Sequence, residues 1–264
     1  MVGIELIKAP LFVPANRPER FAKAAASAAD AIILDLEDAV GLDAKDEARA
    51  NIRCDFTQKP VLVRINARGT PWHAADLDAV RTLSFAGIVL PKAEEETAEV
   101  CAALGGSVAL VALIESARGI AAARAIAAMN GVCRLAFGSI DYCADLGAAH
   151  DRAILIPARS ELVLASRLAG KPGPIDGVTA RLDDPAETLS DTEHARALGM
   201  TGKLCIHPKQ VPEVLAGFAP SEREIAWAER VLAAGDGAVA VDGAMIDEPV
   251  RLRARHILTA ARPA

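Results

Sequence analysis

Aromatic residues are scarce in this 264-residue chain. Six Phe, two Trp and one Tyr, scattered between Phe12 and Trp227, cannot form the stacking platform that binds single-stranded nucleic acid. Basic clusters are missing as well: Lys and Arg number 29 against 35 Asp and Glu, a net charge of −6, and no run of positive charge suits a phosphate backbone. Nucleic acid is excluded as an expected partner. The five cysteines, Cys54, Cys101, Cys133, Cys143 and Cys205, include no C-x-x-C pair, so they read as reduced, mostly core residues of a cytoplasmic protein. Long apolar runs are also lacking. The longest, residues 108–114, is far shorter than the ~20 residues of a membrane span, and the opening segment carries Glu5 and Lys8, so neither a membrane nor a targeting segment is expected.

What is present is a globular composition, 52% hydrophobic and 24% charged, in a chain long enough to bury a core without disulfides or a structural metal. Short apolar runs bounded by Gly, Pro or charge recur at 11–15, 31–36, 61–66, 87–92, 108–115, 134–140, 174–179 and 202–207. Alanine-rich stretches with helical periodicity lie between and after them, at 18–29, 44–53, 72–83, 94–104, 119–129, 153–169, 185–198 and 208–215. Eight such βα units predict a (β/α)8 TIM barrel. An open doubly wound sheet fits the same alternation, but no glycine-rich phosphate loop follows the first strand. The barrel domain is expected over 1–220 and a C-terminal helical extension over 221–264, with helices at 222–234 and 249–261 around a turn containing Gly235, Gly237 and Gly243.

In a barrel the C-terminal strand ends converge on one mouth. Here those ends carry Asp35-Leu36-Glu37-Asp38, Arg64-Ile65-Asn66, Pro91-Lys92, Glu115-Ser116, Asp141, Asp176 and His207. Glu115 and Asp141 lie one βα unit apart, which puts them side by side. Two carboxylates without a neighbouring His or Cys suit a hard cation such as Mg2+; the alternative is a turn cap at Asp141 and an ion pair of Glu115 with Arg118. Arg64 offers a planar fork to a substrate carboxylate, or a salt bridge to Glu37 or Asp38, and the two are compatible. Lys92 reads as a supporting charge.

The segments LFVPANRPERF, ADAIILDLEDAV with Lys45, Ala48 and Arg49 following, VRINARGTPW, GIVLPKAE, ALIESARGI, AFGSIDYCADLG and ARALGMTGKLCIHPKQV resemble the citrate lyase beta subunit-like family of acyl-CoA lyases, within the HpcH/HpaI aldolase/citrate lyase superfamily. The resemblance implies Mg2+ on Glu115 and Asp141, an α-keto acid held by Arg64 and by backbone amides around Gly138, and Glu37 with Asp38 ordering metal-bound water. It implies coenzyme A along Phe12, Arg20, Lys23, Ile206 and His207. GAMIDEP resembles a tail motif whose aspartate, here Asp247, acts from an adjacent subunit, so a homotrimer is expected. The implied reaction is cleavage or formation of a β-hydroxyacyl-CoA. The alternatives are thioester hydrolysis or malate-synthase-like chemistry on the same site, or a citrate lyase beta subunit that needs an acyl-carrier partner. Two departures stand out: Phe12 replaces a tyrosine found in many relatives, and the connection through Leu182-Asp183-Asp184 is short.

Overall fold

The computed structural model describes residues 3–235, 239–241 and 244–261. The chain forms two compact units, Met1–Leu215 and Ala216–Ala264. In the first, eight strands run in sequence order, β1 (Pro10–Pro14), β2 (Ala31–Asp35), β3 (Val61–Arg64), β4 (Gly87–Leu90), β5 (Leu110–Ile114), β6 (Val132–Phe137), β7 (Ile175–Asp176) and β8 (Gly202–Lys203), each parallel to the next. The ring closes where the Phe12 amide donates to Cys205 O at 2.8 Å and the Cys205 amide to Pro10 O at 2.9 Å. This is a (β/α)8 barrel. Its strands are covered on both faces, which explains why they read as apolar runs rather than alternations; all five residues of β2 and of β5 are buried.

The intervening helices are α1 (Phe21–Ala25), α2 (Lys45–Asn51), α3 (His73–Arg81), α4 (Thr97–Leu104), α5 (Ala117–Ala128), α6 (Ser139–Leu146), α7 (Arg152–Leu168), α8 (Pro185–Ala197) and α9 (Val211–Phe218). The structure corrects the sequence reading at α6 and at the last two strands. The run at 134–140 is strand only as far as Phe137, because Gly138 breaks it and Ser139 starts α6, an additional helix that places Asp141 in its first turn rather than on a strand. The runs at 174–179 and 202–207 contribute only short strands, so His207 lies beyond β8, where it caps a 3₁₀ turn by accepting the Lys209 amide at 3.2 Å.

Inward-facing Ile33, Leu62, Val89, Val111, Leu113 and Leu204 fill the barrel, and Ile4 and Ile7 of the N-terminal 3₁₀ turn join that core. Fully buried Arg134 fixes this turn through bonds to Ile4 O (2.9 Å) and Ile7 O (2.7 Å). Burial pulls its guanidinium down to about 10.

The second unit holds α10 (Glu222–Ala233), the hairpin β9 (Val239–Val241) and β10 (Ala244–Ile246), and α11 (Glu248–Ala261). Ser221 and Glu224 close a capping box at the start of α10. Ala228, Val231, Ile246, Ala254 and Ile257 make its core. Gly237 and Gly243 of the expected turn lie outside the described residues. Among the described residues, no helix is long and apolar enough to cross a membrane.

Candidate active site

The mouth is organised around Asp35, the last residue of β2 and a residue to which sequence reasoning gave no role. Its Oδ1 accepts from the Glu37 amide (2.9 Å) and Arg64 Nε (2.7 Å), while Oδ2 accepts from the Ala39 amide (3.2 Å) and Arg64 Nη2 (2.6 Å). One buried carboxylate therefore fixes both the loop that carries Glu37 and Asp38 and the guanidinium that faces them. Arg64 Nη1 lies 3.1 Å from Glu37 and 3.6 Å from Asp38. Its guanidinium carbon sits 4.8 Å from the centre of the Phe12 ring, a cation–π contact that supports the side chain from the opposite side. The same loop is held from below by buried Lys45, whose Nζ donates to Leu36 O (2.8 Å) and Glu37 O (2.7 Å). In the sequence Lys45 was marked by its place behind the carboxylate cluster, in the motif that follows ADAIILDLEDAV, without a role of its own.

Across the mouth, Glu115 follows β5 and accepts the Lys92 amide on Oε1 at 2.8 Å. Lys92 adopts a left-handed backbone (φ 48°), a conformation that costs a non-glycine residue about 1–2 kcal/mol, and its Nζ lies 3.8 Å from Glu37. Gly138 is required by close approach: a Cβ there would meet Glu115 Oε2 at 2.3 Å. The Gly138 amide itself is spent in the sheet, donating to Ile114 O at 2.9 Å, so the amides free to serve a ligand in this segment belong to the first turn of α6. Ser139, buried at the start of α6, pairs with His150 Nε2 at 2.9 Å.

Phe12, Asp35, Arg64, Glu115, Gly138 and Asp141 line one cavity of about 360 Å3, which also reaches Asp38. Glu37 stands behind it. A second cavity of about 390 Å3 gathers Arg20, Lys23 and His207, and it shares Phe12, Pro14 and Ile206 with the first. Asp176 does not join this group: Arg159 (2.8 and 3.0 Å) and Lys203 (2.9 Å) hold it in a separate buried network. Asp247 belongs to the second unit, where it is exposed and its Oδ1 accepts the Val250 amide at 3.3 Å at the start of α11.

The electrostatics of the mouth are unbalanced. Burial, then the charges of Glu37 and Asp141, push the Glu115 carboxyl up to about 8. Burial pushes Glu37 up to about 7 against the pull of Arg64, with Asp38 and Asp35 adding to the rise. Glu37 Oε2 is buried and makes no hydrogen bond, with Arg64 Nη1 as its close cation at 3.1 Å. Excess carboxylate, with Glu115 buried, Asp141 half-buried and neither His nor Cys in the cavity lining, fits a hard divalent cation on Glu115 and Asp141. Among the described residues no set of three His, Cys, Asp or Glu forms a complete metal cage, so water or substrate oxygens would complete the shell.

Fold and site together define a (β/α)8 barrel with a carboxylate-lined cavity at its C-terminal mouth. The family model for HpcH/HpaI aldolase/citrate lyase matches residues 8–208, and the chain belongs to that family. It is 39% identical to the citrate lyase subunit beta-like protein of Mycobacterium tuberculosis, covering 95% of this chain and 94% of that one. It is 34% identical to a (3S)-malyl-CoA thioesterase of Cereibacter sphaeroides, over 95% of this chain and 93% of that one. The crystal structure of CitE from Mycobacterium tuberculosis in complex with magnesium, acetoacetate and coenzyme A superposes with a TM-score of 0.89 at 38% identity, covering 98% of this chain and 99% of the other.

Proposed function

We propose that the chain is a Mg2+-dependent carbon–carbon lyase that cleaves, or in reverse forms, a β-hydroxyacyl-CoA, with an acyl-CoA and an α-keto acid such as oxaloacetate, glyoxylate or pyruvate on the other side of the reaction. The observation that carries this reading is the pair of adjoining cavities, one holding carboxylates and a guanidinium, the other Arg20, Lys23 and His207 for the nucleotide phosphates. The magnesium and coenzyme A held by the similar CitE support it.

Bound at Glu115 and Asp141, Mg2+ would act as a Lewis acid for the oxygen that becomes the keto carbonyl. Arg64, clamped by Asp35 and Phe12, orients the keto acid carboxylate, and the first amides of α6 offer it further donors. Glu37 and Asp38 order water beside the reacting oxygen, and Glu37, pushed up to about 7 by burial, can hold a proton. Breaking the carbon–carbon bond leaves a thioester enolate that needs a proton. Asp247 supplies or directs that proton from a neighbouring subunit, which makes 221–264 a lid or oligomer arm added to a barrel domain at 1–220 and the working form a homotrimer. Five free cysteines suit a reducing cytoplasmic setting.

The test is incubation with Mg2+ and a panel of β-hydroxyacyl-CoA esters, with keto acids plus acyl-CoAs for the reverse direction, followed by mass spectrometry. Paired keto acid and shortened acyl-CoA are expected; intact thioester throughout would refute the reading. The likeness to a malyl-CoA thioesterase favours hydrolysis on the same site as a second reading, and free CoA appears only there. Turnover of CoA esters by the lone chain also counts against a subunit that needs an acyl-carrier partner.

A further inference from the structure

The charges around the mouth cavity bear on which keto acid it admits. Arg64 is the one cationic side chain lining it among the described residues, against Asp35, Asp38, Glu115 and Asp141. Of the five N–H bonds of that guanidinium, two are engaged by Asp35, and Nη1 is turned toward Glu37 and Asp38. Lys92 does not relieve the deficit, since its Nζ approaches Glu37 and the residue lines a different cavity. What remains of Arg64, with the first amides of α6, suits a single carboxylate. The rest of the wall is largely apolar, with Leu113, Phe137, Ile140, Val178, Leu204 and Ile206, and its one further polar side chain among the described residues, Ser139, is engaged by His150.

We infer that the keto acid is a monocarboxylate bearing a short apolar group, of the pyruvate or 2-oxobutyrate type, rather than the dicarboxylate oxaloacetate. This rests on the lyase reading above. A second carboxylate would face the hydrocarbon of that wall, where an unpaired charge is costly. A methyl or ethyl group meets the same wall favourably. The thioester substrate then has a carbinol carbon carrying hydroxyl, carboxylate and a short alkyl group. In cleavage, the bond from that carbon to the carbon next to the thioester breaks. Its electron pair passes into the thioester enolate, which takes up a proton, while the hydroxyl releases its proton as the keto C=O forms; no oxidant or reductant enters.

The test is calorimetric titration of pyruvate, 2-oxobutyrate, glyoxylate and fresh oxaloacetate into the full chain with saturating Mg2+, alongside turnover of the corresponding acetyl-CoA adducts. Oxaloacetate is expected to bind at least about tenfold more weakly than pyruvate. Glyoxylate, which lacks one buried methyl, is expected to bind about fourfold more weakly than pyruvate. Val178→Lys, which adds a cation to the apolar wall, should narrow or reverse the pyruvate to oxaloacetate ratio. Oxaloacetate binding as tightly as pyruvate in the unmodified chain would overturn the inference, and cleavage of the oxaloacetate-derived thioester would then leave the lyase reading in place. Pyruvate selectivity without cleavage of any adduct would uphold the selectivity and remove the lyase reading instead.

Discussion

Asp35→Asn is the most direct test of how the mouth is built. The substitution is nearly isosteric, but an amide cannot reproduce the acceptor pattern. Each carboxylate oxygen takes one amide N–H from the 37–39 segment and one N–H from Arg64, so whichever oxygen becomes NH2 loses two bonds and confronts two donors. Hydrogen bonds to charged groups are worth about 1.5–3 kcal/mol each, and breaking a buried ion pair costs about 3–5 kcal/mol. The expected loss is therefore about 3–5 kcal/mol, a large share of the roughly 5–15 kcal/mol that holds a typical domain. Urea denaturation gives this number, and a double-mutant cycle locates it: in the Asp35→Asn background, Arg64→Met should add little, because the shared interaction is already gone. Binding of pyruvate should fall in parallel, since Arg64 would rest on Phe12 alone. An Asp35→Asn protein within about 1 kcal/mol of the unmodified chain, or full additivity with Arg64→Met, would refute the idea that Asp35 anchors the site.

Arg64→Lys keeps the charge but not the fork, so keto acid binding should drop by about 1.5–3 kcal/mol in calorimetry; unchanged affinity would reduce Arg64 to an ion-pair partner of its acidic neighbours. Glu115→Gln and Asp141→Asn should each weaken Mg2+ binding severely with the fold intact, and undiminished affinity in both variants would remove the metal assignment. The metal-free protein should lose stability as pH rises from the ordinary carboxyl value of 4.5 toward about 8, because Glu115 keeps its proton in the folded state and gives it up in the unfolded one. Thermal unfolding across that window should show the decline lessened in Glu115→Gln and offset by Mg2+; a flat profile in the unmodified chain contradicts it. Asp247→Ala should retain Mg2+ and keto acid binding but lose turnover, and mixed oligomers with Glu115→Gln should recover part of the activity; no recovery would place Asp247 in its own subunit or outside the reaction.

The barrel was legible because strands covered on both faces are written as uninterrupted apolar runs, and eight of them recur at βα spacing. Their ends were less legible. Gly138 was expected to extend a strand, yet it is the residue that allows Glu115 to approach, and the turn it makes starts α6 and carries Asp141 into the mouth. The runs of β7 and β8 overstated the strands because only Ile175–Asp176 and Gly202–Lys203 stay in register with their neighbours. Phe12 was read only as the replacement of a tyrosine on the coenzyme A path; that its ring also packs on Arg64 was not legible, because the contact depends on β1 and β3 being held two strands apart.

The carboxylates at the strand ends show why residue type alone does not separate a site from a support. Asp35, Asp176 and Glu115 are all acidic, all buried and all at or just beyond a strand end. Asp176 is satisfied: Arg159 grips it with two bonds and Lys203 with a third, and the same lysine reaches Asp191 at 2.7 Å. Asp35 is satisfied by four N–H groups. Glu115 has one amide partner and acidic neighbours, and Glu37 has a buried oxygen with no hydrogen bond at all. A buried carboxylate with a full set of donors stabilises the charge it carries, whereas one left short is destabilised until something positive arrives. The deficit falls on Glu115, which lines the cavity, and on Glu37 just behind it, while Asp35 and Lys45 hold the adjoining loop rigid. This division of labour makes the cavity around Glu115, and not the richer ion network around Asp176, the place where a cation and an anionic substrate would bind together.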